Sequence, residues 1–327
     1  MSAGQGKILV IRGGAIGDFI LTLPAIAALR RQFPGAQLEV LGYPHIAQLA
    51  LIGGLVDRVQ PIEARGLANF FARGGELATD LADYFSGFDI IVSYLYDPDA
   101  IFQTNVVSCA RGQFIAAPHR PDENELIHAA KVYLKPLERL AIFDADPVPR
   151  INGVGTRSTA APISASTREV WDAVERVPTV ALHPGSGSES KNWPEAKWVE
   201  LLGRLVRESE INLMLVGGEA EGERLQRLAA QLPPARCEVA RSLPLAELAV
   251  RLHSCVGFVG HDSGISHLAA ALGLPCVVLW ANTIDEIWRP QGWNVVVVRD
   301  NAGLHTLSAQ RVVEEVRRIL GSAGVAR

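Results

Sequence analysis

The 327-residue chain has few cysteines: four, at positions 109, 237, 255 and 276, with no C-x-x-C pair among them. That excludes a zinc ribbon or a redox dithiol and leaves reduced, core-type thiols of a cytosolic protein. It also lacks a long apolar run. Met1 to Lys7 is short and polar, and Ile8 to Ile11 falls far below the length of a signal sequence core or a membrane span. Secretion by that route is not expected, whereas peripheral attachment needs only a surface patch that periodicity does not reveal. Neither half has an excess of positive charge: residues 1–170 carry 15 Lys/Arg against 17 Asp/Glu, and the remainder 16 against 18. A nucleic-acid partner is therefore not expected. There is no G-x-S-x-G elbow and no H-E-x-x-H. The D-x-D pair that follows a strand-like run, Asp97-Pro-Asp99, reads as a helix-start turn rather than a metal pair.

What is present is globular: 48% hydrophobic and 20% charged residues, enough for two domains of ~150 residues each. Strand-like and helical runs alternate, the signature of parallel α/β layers. Strands are predicted at Lys7–Arg12, Gln37–Leu41, Val56–Pro61, Asp89–Tyr94, Gln113–Ala116, Thr179–His183, Asn212–Val216, Glu238–Ala240, Val256–Gly260, Cys276–Trp280 and Asn294–Val298. The clearest helices are Asp18–Phe33, stopped by Pro34-Gly35, then Pro194–Glu208, Glu219–Gln231, Leu245–Ser254, Ser266–Leu272 and Ser308–Leu320. Pro24 should bend the start of the first of these or sit in its first turns. Between Ala141 and Pro178 the pattern gives way to Pro, Ser, Thr, Ala and Gly, read as an interdomain connection with a short helix near Ser166–Arg176. The domains are placed at 1–165 and 166–327, two doubly wound units facing a central cleft.

Three strand-to-helix loops carry polar chemistry. His261-Asp-Ser-Gly-Ile-Ser-His267 leads into an alanine-rich helix, whose free N–H groups and dipole favour an anion beside Asp262, Ser263 and Gly264. His267, just over one turn on, can return toward the same mouth. The alternative is an ordinary N-cap and a surface histidine. Arg12-Gly-Gly-Ala-Ile-Gly-Asp18 fails the dinucleotide fingerprint, because arginine stands where the first glycine is required. It offers instead a flexible turn with Asp18 at the helix start, as a cleft carboxylate or as an N-cap. His183-Pro-Gly-Ser-Gly-Ser-Glu-Ser-Lys191 is not a P-loop, yet it supplies two glycines, three hydroxyls and one of only five lysines in the chain. Lys191 can neutralise a departing diphosphate or be a solvated loop lysine. Beyond the next strand, Glu221 stands where ribose contacts occur in nucleotide folds, or is a helix-terminal acid. The turn Ala281–Asp285 can close over a base or sugar.

Four segments together, ILVIRGGAIGDFILTLPAIAALRRQFPGA, HPGSGSESKNWPE, LVGGEAEGERL and GFVGHDSGISHLAAALGLP, resemble glycosyltransferase family 9, the ADP-heptose:lipopolysaccharide heptosyltransferase family. Their order and spacing match along nearly the whole chain. The resemblance implies a GT-B fold with acceptor on the N-terminal domain and nucleotide sugar on the C-terminal one, inverting transfer, and no metal or other cofactor. It implies Asp18 as catalytic base and Lys191 as catalytic cation. The implied donor set is Ser186, Gly187, Ser188, Glu221, Leu243, Asp262, Ser263, Gly264, His267 and Thr283. Gly14, Gly17, Arg65, Arg73 and Arg120 are implied on the acceptor side, where the loop arginines, Arg111 included, suit an anionic glycolipid or serve solubility. Implied partners are an ADP-heptose-type donor and a lipopolysaccharide-type acceptor at the inner face of the cytoplasmic membrane. Two stretches depart from the family pattern: Ser93-Tyr-Leu-Tyr-Asp97 replaces a D-L-Q-G-like stretch, and Ala281-Asn-Thr-Ile-Asp285 replaces Gly-Pro-Thr-Asp. The rivals are a GT-B transferase with another sugar or acceptor, a nucleotide-sugar binder without turnover, and a nicotinamide oxidoreductase, which Arg12 disfavours.

Overall fold

The computed structural model describes residues 6–75, 77–154 and 177–322. The chain divides into two compact units, one running to Ile151 and including Glu286–Trp288, the other Asn152–Asp285 with Arg289 onward. The expected boundary at 165/166 and the expected helix at 166–176 lie outside the described residues.

The first unit is built on five parallel strands, β1 (Lys7–Arg12), β2 (Gln37–Gly42), β3 (Arg58–Pro61), β4 (Ile90–Ser93) and β5 (Gln113–Ala116), in the spatial order β3-β2-β1-β4-β5. Its helices are α1 (Ile16–Gln32), α2 (Pro44–Ile52), α3 (Thr79–Ser86), α4 (Ile101–Cys109) and α5 (Ala129–Leu134). The second unit has six strands, β6 (Thr179–Leu182), β7 (Asn212–Gly217), β8 (Cys237–Arg241), β9 (Gly257–His261), β10 (Cys276–Leu279) and β11 (Val295–Val298), in the order β11-β10-β9-β6-β7-β8. With them run α6 (Glu195–Glu208), α7 (Gly222–Ala229), α8 (Leu245–His253), α9 (Gly264–Ala271) and α11 (Ala309–Ser322), while of the short α10 (Asp285–Trp288) all but Asp285 belongs to the first unit. Every strand pairing is parallel.

Parallel strands are covered on both faces by crossover helices, so they read as continuous apolar runs rather than alternations. KILVIR in β1 and CVVL in β10 are such runs, and every residue of β10 is buried. The helices supply the facing layers. In α6, Trp198, Leu201, Leu202 and Leu205 recur at helical spacing and are the buried face. They join the second core with Val180, Leu213 and Val259 from the sheet. The first core gathers Leu9, Ile11, Phe70, Phe85 and Phe102. The α1 helix differs from α6 in that every residue from Phe19 to Ile26 is buried. Pro24 is therefore not near its start, as expected, but in the middle. Its ring removes one helical hydrogen bond, and the helix runs on past that gap to Gln32 with its central turns buried. Among the described residues no helix is long and apolar enough to cross a membrane.

In each unit the chain leaves the first strand toward one edge and returns to the fourth position for the other edge. This places a switch point between β1 and β4, and another between β6 and β9, where the carboxyl ends of adjacent strands are left uncovered by connections. Arg12 closes β1 and His261 closes β9. The backbone around Arg12 is crowded: a Cβ built on its register partner Gly42 would lie 2.7 Å from the Arg12 carbonyl oxygen. Gly42→Ala should cost about 1–3 kcal/mol of stability through this overlap, read as a lower urea midpoint. An unchanged midpoint would mean that β1 and β2 separate without cost.

Candidate active site

At the first switch point the Gly13-Gly14 turn carries the chain from β1 into α1. Gly14 takes φ +98°, and a Cβ there would stand 3.1 Å from Asp18 Oδ2. Both features require glycine. Asp18 is not the N-cap of α1. Ala15 holds that position, and Asp18 lies three residues on, where its Oδ2 accepts the Ala15 N–H at 3.1 Å. Its Oδ1 lies 3.6 Å from the Arg12 guanidinium, which is 3% exposed. Arg12 donates through Nη1 to the carbonyls of His119 (2.9 Å) and Tyr94 (3.2 Å) and through Nη2 to that of Asp18 (3.4 Å). The rings of Tyr133 and Tyr94 flank it at 4.7 and 5.9 Å. The arginine that broke the dinucleotide fingerprint is thus a buried cation beneath Asp18.

These residues open into a cavity of about 460 Å³ lined by Arg12, Gly13, Gly14, Asp18, Tyr43, Ile62, Glu63, Phe71, Tyr94, Leu95, Tyr96, His119 and Arg120. Burial, then Arg12 and Arg120, lowers the His119 pKa, so that ring favours its neutral form. Arg120 also lies over the Trp288 ring at 5.3 Å and 3.5 Å from Glu123. Arg65 and Arg73 do not line this cavity. Arg65 opens a 3₁₀ turn, and Arg73 is exposed and 3.5 Å from Asp99. Gly17 belongs to the first turn of α1, directly before Asp18. Asp97 accepts the Phe102 and Gln103 N–H groups at 3.2 and 2.9 Å, the helix-start role expected of it.

At the second switch point Asp262 Oδ2 receives two hydrogen bonds, from Lys191 Nζ at 2.7 Å and from Thr283 Oγ1 at 2.6 Å. Three loops that are 71 and 21 residues apart in sequence meet on this one oxygen. Ser263 stands at the N-cap of α9, but its hydroxyl makes no capping bond. It lies instead 3.3 Å from His183 Nδ1 and 3.5 Å from Ser266 Oγ. The first turn of α9, beginning at Gly264, therefore keeps its N–H groups free of a side-chain cap. His267, in the second turn, is buried.

The loop from 183 to 193 is held from below by a histidine that the sequence named without a role. His261 Nε2 accepts the Trp193 N–H at 2.8 Å, so its Nδ1 carries the proton and donates to the Gly185 carbonyl at 3.1 Å. Trp198 packs on this ring edge-on, 5.4 Å away. Ser186 Oγ lies 2.7 Å from the Ser188 carbonyl and 2.8 Å from Asn192 Oδ1, folding the turn through Gly187 at φ +75°. Glu221 holds the N-cap position of α7 without a side-chain capping bond, its Oε2 instead accepting the Gly218 N–H at 2.9 Å, and its side chain lies against Gly185, where an added Cβ would come within 2.3 Å of it. Leu243 is half-buried in the turn after β8. Asp285, which opens α10 just after the turn that carries Thr283, is buried and paired with Arg299 at 2.8 Å. No group of three or more His, Cys, Asp or Glu side chains is placed to hold a metal ion among the described residues.

Two parallel sheets, each with polar side chains gathered at its switch point, give this chain the GT-B architecture. The structure of an E. coli heptosyltransferase with ADP has this fold: it superposes with a TM-score of 0.74 over 96% of this chain and 99% of its own, at 21% identity. Residues 154–316 match the family model of glycosyltransferase family 9 (heptosyltransferase). Lipopolysaccharide heptosyltransferase 1 of Pseudomonas aeruginosa is 26% identical over 292 residues, 85% of this chain and 79% of its own length. The enzyme of the same name from Escherichia coli K12 is 26% identical over 325 residues, 95% of this chain and 99% of its own. The chain belongs to glycosyltransferase family 9.

Burial lowers the His183 pKa to about 4 and that of His261 to about 3. Both rings are neutral in the folded protein, whereas in the unfolded chain they protonate near 6.5. Below that pH the unfolded state binds more protons, so stability falls as pH drops from about 6.5 toward 4, by ~1.4 kcal/mol per pH unit for each ring. Urea unfolding at a series of pH values should show this slope, and His183→Gln together with His261→Gln should flatten it. An unchanged slope in the double variant would place the acid sensitivity elsewhere.

Proposed function

We propose that the chain transfers a heptose from ADP-heptose to a lipopolysaccharide-type glycolipid at the inner face of the cytoplasmic membrane, with inversion and without a divalent ion. The N-terminal domain, taken as residues 1–165, receives the acceptor, and the C-terminal domain, 166–327, receives the donor. The names of the relatives support the sugar and the acceptor. The observation that carries the reading is the meeting of Lys191, Asp262 and Thr283 at the uncapped start of α9.

A nucleoside diphosphate leaving an anomeric carbon takes the bonding electron pair with it, and that charge must be received. Helix-start N–H groups and a lysine can do this in place of a metal, because both are fixed before the bond breaks. The hydroxyls of Ser186, Ser188, Ser263 and Thr283 add donors, Gly187 and Gly264 let the backbone approach, and His267 completes the phosphate side. Glu221 and Leu243 receive the ribose and the base. The Asp262 carboxylate keeps the Lys191 ammonium at the helix mouth, an entropic saving for binding.

On the other reactant, Asp18 removes the hydroxyl proton as the acceptor oxygen attacks the anomeric carbon. The new C–O bond forms as the bond to the diphosphate breaks, the proton ends on Asp18, and a single displacement inverts the carbon. Arg12 beneath Asp18 and the Ala15 N–H on Oδ2 hold the carboxylate in its charged form's geometry. Gly14 and Gly17 shape the turn, and Arg120, on the cavity wall, meets acceptor anions.

Asp18→Asn should lower turnover by about 10²- to 10⁴-fold while calorimetry shows unchanged ADP affinity. Lys191→Ala should weaken ADP by about 10- to 100-fold, the range of a hydrogen bond to a charged group. Transfer should survive chelation. Turnover restored only by magnesium or manganese, or full activity in Asp18→Asn, would overturn the mechanism, and a preference for UDP over ADP would overturn the donor.

A further inference from the structure

A second cavity, about 310 Å³, lies in the first unit on the outer side of α5 and of the 3₁₀ helix Lys135–Leu140 that continues it. Its lining is mainly apolar, with Ile127, Leu134, Ile142 and Phe143, and Lys131 and Lys135 stand on it one helical turn apart. Three large apolar side chains are exposed in this region: Leu126 is 56% exposed, Ile127 39% and Phe143 69%. Leu126 also takes φ +50°, a left-handed conformation that costs a non-glycine residue about 1 kcal/mol or more. Neither backbone preference nor burial explains an outward leucine there.

The charge pattern selects a partner. Among the described residues neither Lys131 nor Lys135 has a carboxylate within ion-pair distance, while Asp146 is engaged by Arg150. Glu138 is the acid on the lining, and Asp144 is exposed beside Phe143. Apolar side chains projecting between unpaired ammonium groups suit a surface that is hydrocarbon inside and anionic at its border.

We propose that this patch seats the first unit on an anionic lipid bilayer, with Leu126, Ile127 and Phe143 entering the boundary between acyl chains and headgroups and Lys131 and Lys135 on lipid phosphates. The placement links membrane to chemistry through one helix: Tyr133 on the inner side of α5 lies against Arg12, while Lys131 and Leu134 form the outer lining. The inference rests on the lipid-linked acceptor of the proposed function only for its biological sense, since vesicle binding is measured without transfer.

The test is flotation of the full chain with vesicles of phosphatidylcholine alone or mixed with phosphatidylglycerol. The unchanged protein should float with the anionic vesicles, less so in high salt, and not with the neutral ones. Lys131→Glu with Lys135→Glu should reduce binding on the order of 10-fold or more, and Leu126→Ser with Phe143→Ser should abolish it. All four positions are exposed or line the groove, so melting temperatures should be unchanged, and Phe143→Ser alone serves if a double variant fails to fold. Transfer to an acceptor stripped of its acyl chains should be unaffected. Transfer without vesicle binding would overturn this inference and leave the proposed function intact, while vesicle binding without transfer would do the reverse. A wild-type dimer in sedimentation that Phe143→Ser converts to monomer would overturn it in favour of self-association.

Discussion

The site chemistry depends on a buried arginine held by backbone carbonyls. Arg12 brings a full positive charge to the end of a hydrophobic strand, where an uncompensated ion would be prohibitively costly. Three main-chain carbonyls, two aromatic faces and the Asp18 carboxylate compensate it. The turn through Gly14, the first turn of α1 and the packing of α5 against α1 all converge on that cation, so the position of Asp18 is determined by more of the fold than its own loop.

The second unit pairs each of its buried carboxylates, Asp262 and Asp285, with a more exposed cation, Lys191 and Arg299. His261 and His183 are kept neutral by burial and act as hydrogen-bonding spacers between β9 and the loop from 183 to 193. In the pair of Lys191 and Asp262 the lysine side chain is 36% exposed and the carboxylate 9%. The attraction in such a pair is offset by the cost of desolvating Asp262, so its net contribution to stability is small. Its value is orientation, since it sets an ammonium group at a helix start whose N–H groups are uncapped.

Most of the architecture was legible in the sequence because strands buried on both faces are continuous apolar runs, and the observed ends differ from the expected ones by one or two residues for nearly all of them. Helix ends were less legible. The helix expected from Glu219 begins at Gly222, because Glu221 turns back to the Gly218 N–H. Pro24 stands mid-helix because surrounding packing, invisible to local rules, overrides the loss of one hydrogen bond. Loops flagged by glycine and serine were found at the strand ends, since that composition reflects turns made at close quarters. The pairings were not legible: Thr283 reaching Asp262, or His261 bridging Gly185 and Trp193, depends on register between strands far apart in sequence. Arg65 and Arg73 show the limit from the other side, for charge and loop position alone do not say which cavity an arginine serves.

The supports of Arg12 are peptide oxygens, at Tyr94, His119 and Asp18, rather than side-chain acceptors. A main-chain acceptor is the same whatever residue bears it, so position 119 can drift between relatives without loosening the guanidinium, provided the strand ends keep their course. Such a network leaves almost no trace in residue identities. Comparing sequences would underrate it, and only the path of the backbone records it.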